Sequence, residues 1–396
     1  MKKLRIGFAG IGAMGLSHLK AMHVDQGGRA EAVAIGSRNT ANIDRAHELA
    51  PNARVFADDR ALIRSDLDGV FISTPNGLHA RLALETLRAG RHLFLEKPVG
   101  ITRAECRQVL AAAAQTDRVV MVGHELRYAP VFQRIKTLVD AGEIGQPRLV
   151  WTREFRGPFQ KKSGNWLQDN RWSGGALVDK SCHHFDLMNW WVGSRPRRVC
   201  AFGGQAGQGE VRSSQFEGQR PKARVGLPPS AFRVRAPVLD HATVSFEYEN
   251  GMRGTLQLCL FARDFPDEEL EMGIVGDRGE LRTKIVRPEP AGRPADEPSR
   301  SRRLATGFRT VREGVGLEIL QWRRGVSQPG PIVHTIKTGR GDGWGGHAGF
   351  AEIHEAFLRA IRQEERPLTA VADCVDGTLL AIAAEESIRR GGAVEV

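Results

Sequence analysis

Asp179, His183 and Asp186 stand at i, i+4 and i+7 in the run from Gly175 to Asp186, a spacing that puts all three on one face of an α-helix. A carboxylate one turn before an imidazole can fix its tautomer and stabilise its charged form, as a base working near neutral pH requires. A solvated polar stripe would show the same spacing, so the reading rests on what else the chain brings to this face. Lys97 is one such group: in Glu96-Lys97-Pro98 the proline restricts the residue before it, and the corner can aim an ammonium group at a substrate hydroxyl. Cys182, His183, His184 and Asp186 are all metal-ligating types. Neighbours on a helix point about 100° apart, however, and cannot converge on one ion, so no metal site is expected.

The elements that must position these groups begin near the amino end. An apolar strand from Leu4 enters Gly10-x-Gly12-x-x-Gly15, and Leu16, Leu19 and Met22 continue at helical spacing. In that context Gly10 permits a tight turn, Gly12 lets a pyrophosphate approach the backbone, and Gly15 allows close packing. With Ala13 and Met14, the helix start offers N–H groups to phosphate. A second strand, 30–35, ends at Gly36-Ser37-Arg38-Asn39, where an NAD-preferring fold usually carries an acid for the ribose diol. Ser37 and Arg38 fit a 2′-phosphate instead, so NADP is the expected cofactor, with NAD second. A third strand, from Asp68, ends in Thr74-Pro75-Asn76 with His79 just beyond, and a fourth, from His92, ends at Glu96 and Lys97. Ligands of open parallel sheets sit beyond the carboxyl ends of the strands, which assigns Thr74, Pro75, Asn76, His79, Glu96 and Lys97 to the cofactor edge.

Short apolar strands alternating with helical segments up to 119–122 predict a doubly wound parallel sheet within residues 1–124. Over 125–396 the texture is α+β. Helices at 130–141, around Asp179, at 347–362 and at 371–390 accompany alternating strands at 148–155, 242–248 and 252–258, which read as a large antiparallel sheet. The apolar face of 242–248 fits either another subunit's sheet or the chain's own helices. A net charge of +11 would alone point to nucleic acid. The excess lies in two Pro-, Gly- and Arg-rich segments, near 203–235 and 283–340, that read as loops inserted in the second domain. They lack interleaved aromatics for stacking on bases, so no nucleic-acid partner is expected. No apolar run approaches the ~20 residues that span a bilayer, the start runs straight into the first strand, and the 5 cysteines form no CxxC. A cytoplasmic protein without a membrane partner is the expectation.

Gly10-x-Gly12-x-Met14-Gly15-x-x-His18, Thr74-Pro75-x-x-x-His79, Glu96-Lys97-Pro98 and Gly175-Ala-Leu-x-Asp179-x-x-x-His183-x-x-Asp186 occur in this order. The chain resembles the Gfo/Idh/MocA-type oxidoreductases over nearly its whole length, the two Arg-rich segments excepted. The resemblance implies a Rossmann domain followed by a substrate-binding α+β domain. It makes Lys97 the active-site lysine and brings Asp179 and His183 to the nicotinamide. It also implies hydride transfer between a ring secondary alcohol of a sugar, glycoside or cyclitol and that nicotinamide, in a homodimer or homotetramer built through the second-domain sheet. Such chemistry needs a base for the hydroxyl proton and positive charge for the developing alkoxide. His183 suits the base, Lys97 the alkoxide partner and Asp179 the orienting carboxylate; a Lys97 with a burial-lowered pKa is the other choice of base. The same resemblance covers redox-neutral glycosidases, which work through a transient keto-sugar and for which an acidic sugar is the candidate substrate here, and non-catalytic nucleotide sensors.

Substrate contacts are expected from the polar, aromatic stretch 151–172. Indoles stack on sugar C–H faces while polar side chains bond ring hydroxyls, which gives Arg156, Trp166 and Trp172, with Lys97, Asp179, His183 and His184, as the substrate-binding set. Trp151 and Trp172 serve equally well as core anchors. The cations Arg153, Arg156, Lys161, Lys162, Arg171 and Lys180 point to an acidic sugar, and Trp344 and His347 to another wall of the pocket.

Overall fold

A computed structural model describes residues 2–158, 163–206, 238–262, 268–286, 316–325, 330–336 and 348–396. Lys161, Lys162, Trp344, His347 and most of both Arg-rich segments lie outside the described residues. Six strands form the first sheet: β1 (Leu4–Ala9), β2 (Ala30–Gly36), β3 (Arg54–Phe56), β4 (Gly69–Ile72), β5 (His92–Leu95) and β6 (Val120–Val122). Their helices are α1 (Ala13–Lys20), α2 (Thr40–Leu49), α3 (Asp59–Ile63), α4 (His79–Arg88) and α5 (Arg103–Ala113). All pairings are parallel, in the order β3-β2-β1-β4-β5-β6. Helices cover both faces, which is why β4 and β5 read as unbroken apolar runs with Val70, Phe71, Ile72, Leu93, Phe94 and Leu95 all buried. The strand order reverses between β1 and β4, and that crevice is where a doubly wound sheet binds its ligand.

After α6 (Pro130–Asp140) come β7 (Pro147–Arg156), α7 (Asn170–Ser173), α8 (Cys182–Val192) and the strands β8 (Pro196–Gly204), β9 (His241–Tyr248), β10 (Arg253–Cys259), β11 (Glu268–Gly276), β12 (Gly279–Val286), β13 (Gly316–Arg323) and β14 (Ile332–Ile336). The chain closes with α9 (Phe350–Ile361), α10 (Val371–Arg390) and β15 (Val394–Glu395). The second sheet is ordered β14-β13-β12-β11-β7-β10-β9-β8-β15. It is antiparallel except for the β7–β10 pair. Two of its strands, β13 and β14, fall inside the stretch 283–340 expected as loop. The alternation Ile319, Gln321 against Glu318, Leu320 was hidden by the arginine-rich composition around it.

On β9, Ala242, Val244, Phe246 and Tyr248 point into the core, and Phe185 of α8 meets Phe246 edge-on at 5.6 Å. The chain's own helices therefore cover this face, and a second subunit is not needed for it. The opposite face of the sheet carries Trp151, Arg153 and Phe155, with Arg282 over the Trp151 ring at 5.3 Å. At the end of the chain α9 returns to the first domain, where Phe357 meets Phe71 and Phe94 edge-on at 5.2 and 5.6 Å.

Candidate active site

Three loops reach the carboxyl edge of the parallel sheet. At the first, Gly10 has φ +87°, and a Cβ there would lie 2.8 Å from the backbone carbonyl of Ser73. A Cβ on Gly15 would lie 2.0 Å from Gly10 O, whereas none of the described residues stands within 4 Å of one built on Gly12. Among the described residues, no side chain caps the start of α1, and the buried hydroxyls of Ser73 and Thr74 bond to no other group. A side-chain-free cradle at a helix amino terminus, lined by unspent donors, fits a dinucleotide pyrophosphate. Ser37 and Arg38 stand at the tip of β2, where the Ser37 hydroxyl accepts from Asn39 N at 3.1 Å.

The other loops meet the second domain. Asn76 Nδ2 donates to Ser173 O at 2.9 Å and to Asp179 Oδ1 at 3.0 Å. Lys97 Nζ donates to the backbone carbonyl of Asp179 at 2.7 Å and lies 3.9 Å from its Oδ1. Burial opposes the ammonium charge, but the neighbouring Asp179, Cys182, Glu96 and Glu125 outweigh it and raise the Lys97 pKa above the ordinary lysine value. His183 is tuned the other way. Burial first, then the positive or potentially positive Lys97, His124, Lys180 and His184, hold it well below the usual histidine value of 6.5. Its Nδ1 lies 3.7 Å from Glu125 Oε2, and the His124 ring packs edge-on at 5.4 Å.

Two expectations change here. The turn through Asp179 (Leu177–Ser181) is π-helical, wider than the α-helix assumed from the i, i+4, i+7 spacing. Asp186 does not share the site of Asp179. Its carboxylate is gripped in a fork by Arg127, at 2.6 and 2.8 Å. One atom each of His124, Asp186 and Cys374 lies within 4.8 Å of the others, but the Arg127 guanidinium already supplies the cation there, and Cys374 Sγ faces the carbonyls of Thr369 and Ala370.

Residues 4–124 match the oxidoreductase family with an NAD-binding Rossmann fold, and residues 132–282 match the Gfo/Idh/MocA C-terminal domain. The chain belongs to the Gfo/Idh/MocA family. Among curated relatives, an uncharacterized oxidoreductase of Bacillus subtilis, YrbE, is 31% identical over 198 residues, covering 48% of this chain and 56% of its own. An inositol 2-dehydrogenase of Rhizobium meliloti is 31% identical over 198 residues, covering 50% and 58%. The chain thus spans little more than half the length of these relatives. The crystal structure of an oxidoreductase domain protein from Kribbella flavida superposes with a TM-score of 0.75 at 21% identity, over 100% of both chains.

Within this family member several residues assigned to cofactor or substrate are turned inward. His79 is buried with Nδ1 2.7 Å from Pro98 O and Nε2 2.9 Å from Thr74 O. It braces the two loops against each other, and both ring nitrogens are taken. Glu96 Oε1 lies 2.8 Å from His18 Nε2. His18 Nδ1 is 2.8 Å from His354 Nε2, whose Nδ1 is 2.5 Å from Phe350 O. Burial lowers the His354 pKa to about 3, so His354 is neutral, donates to the carbonyl and accepts from His18. His184 is buried, 3.6 Å from Glu154 Oε2, and Lys180 and Arg156 approach the same fully buried Glu154 at 3.0 and 3.5 Å.

Trp166 lies in a 3₁₀ turn (Ser163–Gln168), and Trp172 is 42% exposed. Trp172 helps line a cavity of about 380 Å³ with Gly77, Leu78, Arg81 and Arg171, not with Lys97 or His183. Glu125, His124, Arg127 and Glu154 had no signal in the sequence beyond their position after a strand or on one; only the folded topology brings them to the segment that carries Asp179 and His183.

Proposed function

We propose that the chain is an NAD(P)-dependent dehydrogenase that oxidises, or in reverse forms, a secondary ring alcohol of a sugar or cyclitol. The observation carrying this reading is the opposite tuning of two neighbours, Lys97 held charged and His183 held neutral. Environments that push two titratable groups apart assign them different acid–base roles. His183 takes the hydroxyl proton, Glu125 at 3.7 Å favours the imidazolium that results, and the Lys97 ammonium stabilises the developing alkoxide. Asp179 fixes Lys97 through its carbonyl and is itself held by Asn76. Gly10, Gly12, Ala13, Met14, Gly15, Thr74, Pro75 and Asn76 would hold the dinucleotide, whose nicotinamide would supply hydride acceptance or donation. Ser37 and Arg38 would hold the 2′-phosphate of NADP.

The relative named inositol 2-dehydrogenase supports a cyclitol or pyranose as substrate. Trp166 and Arg156, the latter 3.5 Å from Glu154, are the side chains proposed to hold its remote part, whereas Trp172 lines a separate cavity beside Gly77 and Arg81. The aromatic, charged outer face of the second sheet is the one left to pair subunits. A screen of inositols, sugars and glycosides that records both cofactor absorbance and product mass tests the reading. Cofactor reduction matched by a product two hydrogens lighter is the expected result. Cleaved glycoside without net cofactor change would replace dehydrogenation by redox-neutral hydrolysis.

A further inference from the structure

The tip of β2 lacks an acid in the sequence, yet the fold delivers one. A Cβ built on Gly36 would lie 2.6 Å from Asp59 Oδ1, so the carboxylate at the start of α3 sits directly against the last residue of β2. Asp59 is half-buried, and it makes no hydrogen bond or ion pair with any described residue. Arg38, from the β2–α2 turn, and Arg81, on α4, are the cations that act on it, while Asp58 and Glu85 act in the opposite sense. Neither arginine is close enough for an ion pair among the described residues. A half-buried carboxylate flanked by two cations that do not pair with it is poised for an outside donor.

In a doubly wound sheet the adenosine ribose lies beyond the tip of β2; an acid there accepts its hydroxyls, and an arginine takes a 2′-phosphate. We propose that Asp59 is the ribose-diol acceptor absent from positions 37 and 38, so that Asp59 and Arg38 together set NAD against NADP. This rests on the reading of the first domain as a nicotinamide-dinucleotide site. Desolvation already raises the Asp59 pKa above its ordinary value, which marks a carboxylate short of hydrogen-bond donors. A ribose diol brings two. A 2′-phosphate brings two negative charges, which Arg38 and Arg81 attract and Asp59 repels.

The test is calorimetric titration of the full chain, without sugar, using NAD, NADP and NAD lacking the adenosine 2′-hydroxyl. Wild type should bind NAD about tenfold tighter than the deoxy analogue. Asp59→Asn should erase most of that difference and shift the NAD-to-NADP affinity ratio about tenfold towards NADP. Asp59→Ser, which also removes the charge, should shift the ratio in the same direction. An unchanged ratio in both variants overturns the proposal, as does a wild type indifferent to the 2′-hydroxyl, a result that needs no variant to fold. If wild type binds none of the dinucleotides, the reading of the first domain fails and the proposal with it; tight binding with an unmoved ratio removes Asp59 alone.

Discussion

Asn76 and Asp179 are joined across the domain boundary by a single buried amide-to-carboxylate bond of 3.0 Å, and the same amide nitrogen holds Ser173 O at 2.9 Å. The loop after β4 is thereby tied to the turn that carries Lys97's partner. Asn76→Ala removes the donor and leaves a buried carboxylate and a carbonyl short of a partner. A stability loss of about 1–3 kcal/mol is expected, with turnover falling about tenfold or more as Lys97 loses its fixed anchor. Thermal melts and steady-state kinetics on the same preparation read both. Asn76→Asp, which sets two carboxylates face to face, should be worse than alanine; a variant indistinguishable from wild type would show that the link is idle.

Lys97→Met and His183→Ala should each cut turnover by about a hundredfold or more, with cofactor affinity changed less than about threefold, since both act on the reacting hydroxyl and not on the dinucleotide. Fluorescence titration with cofactor separates the two effects. Near-native turnover in either variant removes that residue from the chemistry.

The depressed His183 pKa predicts where the acid limb of the oxidation profile falls. A base must be deprotonated to act, and this one stays neutral as pH drops through the usual histidine value of 6.5. The limb in kcat/KM should therefore lie below 6.5. A limb at or above that value would assign the base elsewhere.

Glu385, buried on α10, accepts from Leu177 N at 3.0 Å at the start of the π-helical turn. Burial raises its pKa to about 7 from 4.5, although the Leu177 bond and Arg389 pull it down. Between those two values the folded chain binds more protons than the unfolded one, so stability falls as pH rises through that window and is flat above it. Glu385→Gln keeps an acceptor for Leu177 and cannot ionise. It should flatten this slope, gaining roughly 3 kcal/mol relative to wild type above neutrality. Melting temperatures of both proteins from acid to mildly alkaline pH decide it; parallel curves would exclude Glu385 as the titrating group.

Arg38→Ala should weaken NADP binding more than NAD binding, because only NADP offers the guanidinium a phosphate. Equal losses would place Arg38 outside the ribose pocket.

Local patterns made the first domain legible. Gly10, Gly12 and Gly15 between an apolar strand and a helix admit few structures, and Val70 to Ile72 or Leu93 to Leu95 can only be buried strands. Lys97, Asp179 and His183 could be proposed as a site because backbone constraint or spacing marks them, and the fold places them side by side. Glu125, Asp59 and Glu154 carry no such mark: each is an ordinary acid at the end or in the middle of an element, brought into place by contacts distant in sequence. The π-helical turn at Leu177–Ser181 was equally hidden, since nothing in that run departs from an α-helical composition. His79 and Glu96 were placed in the right loops but given the wrong direction, which depends on the hydrogen-bonding partners His18, Pro98 and Thr74.

His18 and Phe71 lie in the first domain, while His354 and Phe357, which complete their surroundings, are translated 336 and 286 residues later. During synthesis the parallel sheet must wait on the ribosome with this flank open, exposing aromatic rings and a His18 that holds Glu96 but lacks its second partner until α9 emerges. Excising the first domain as a stand-alone nucleotide-binding reagent would leave the same wound, so a soluble fragment calls for grafting α9 back on or replacing Phe71 and His18 with polar residues that tolerate water.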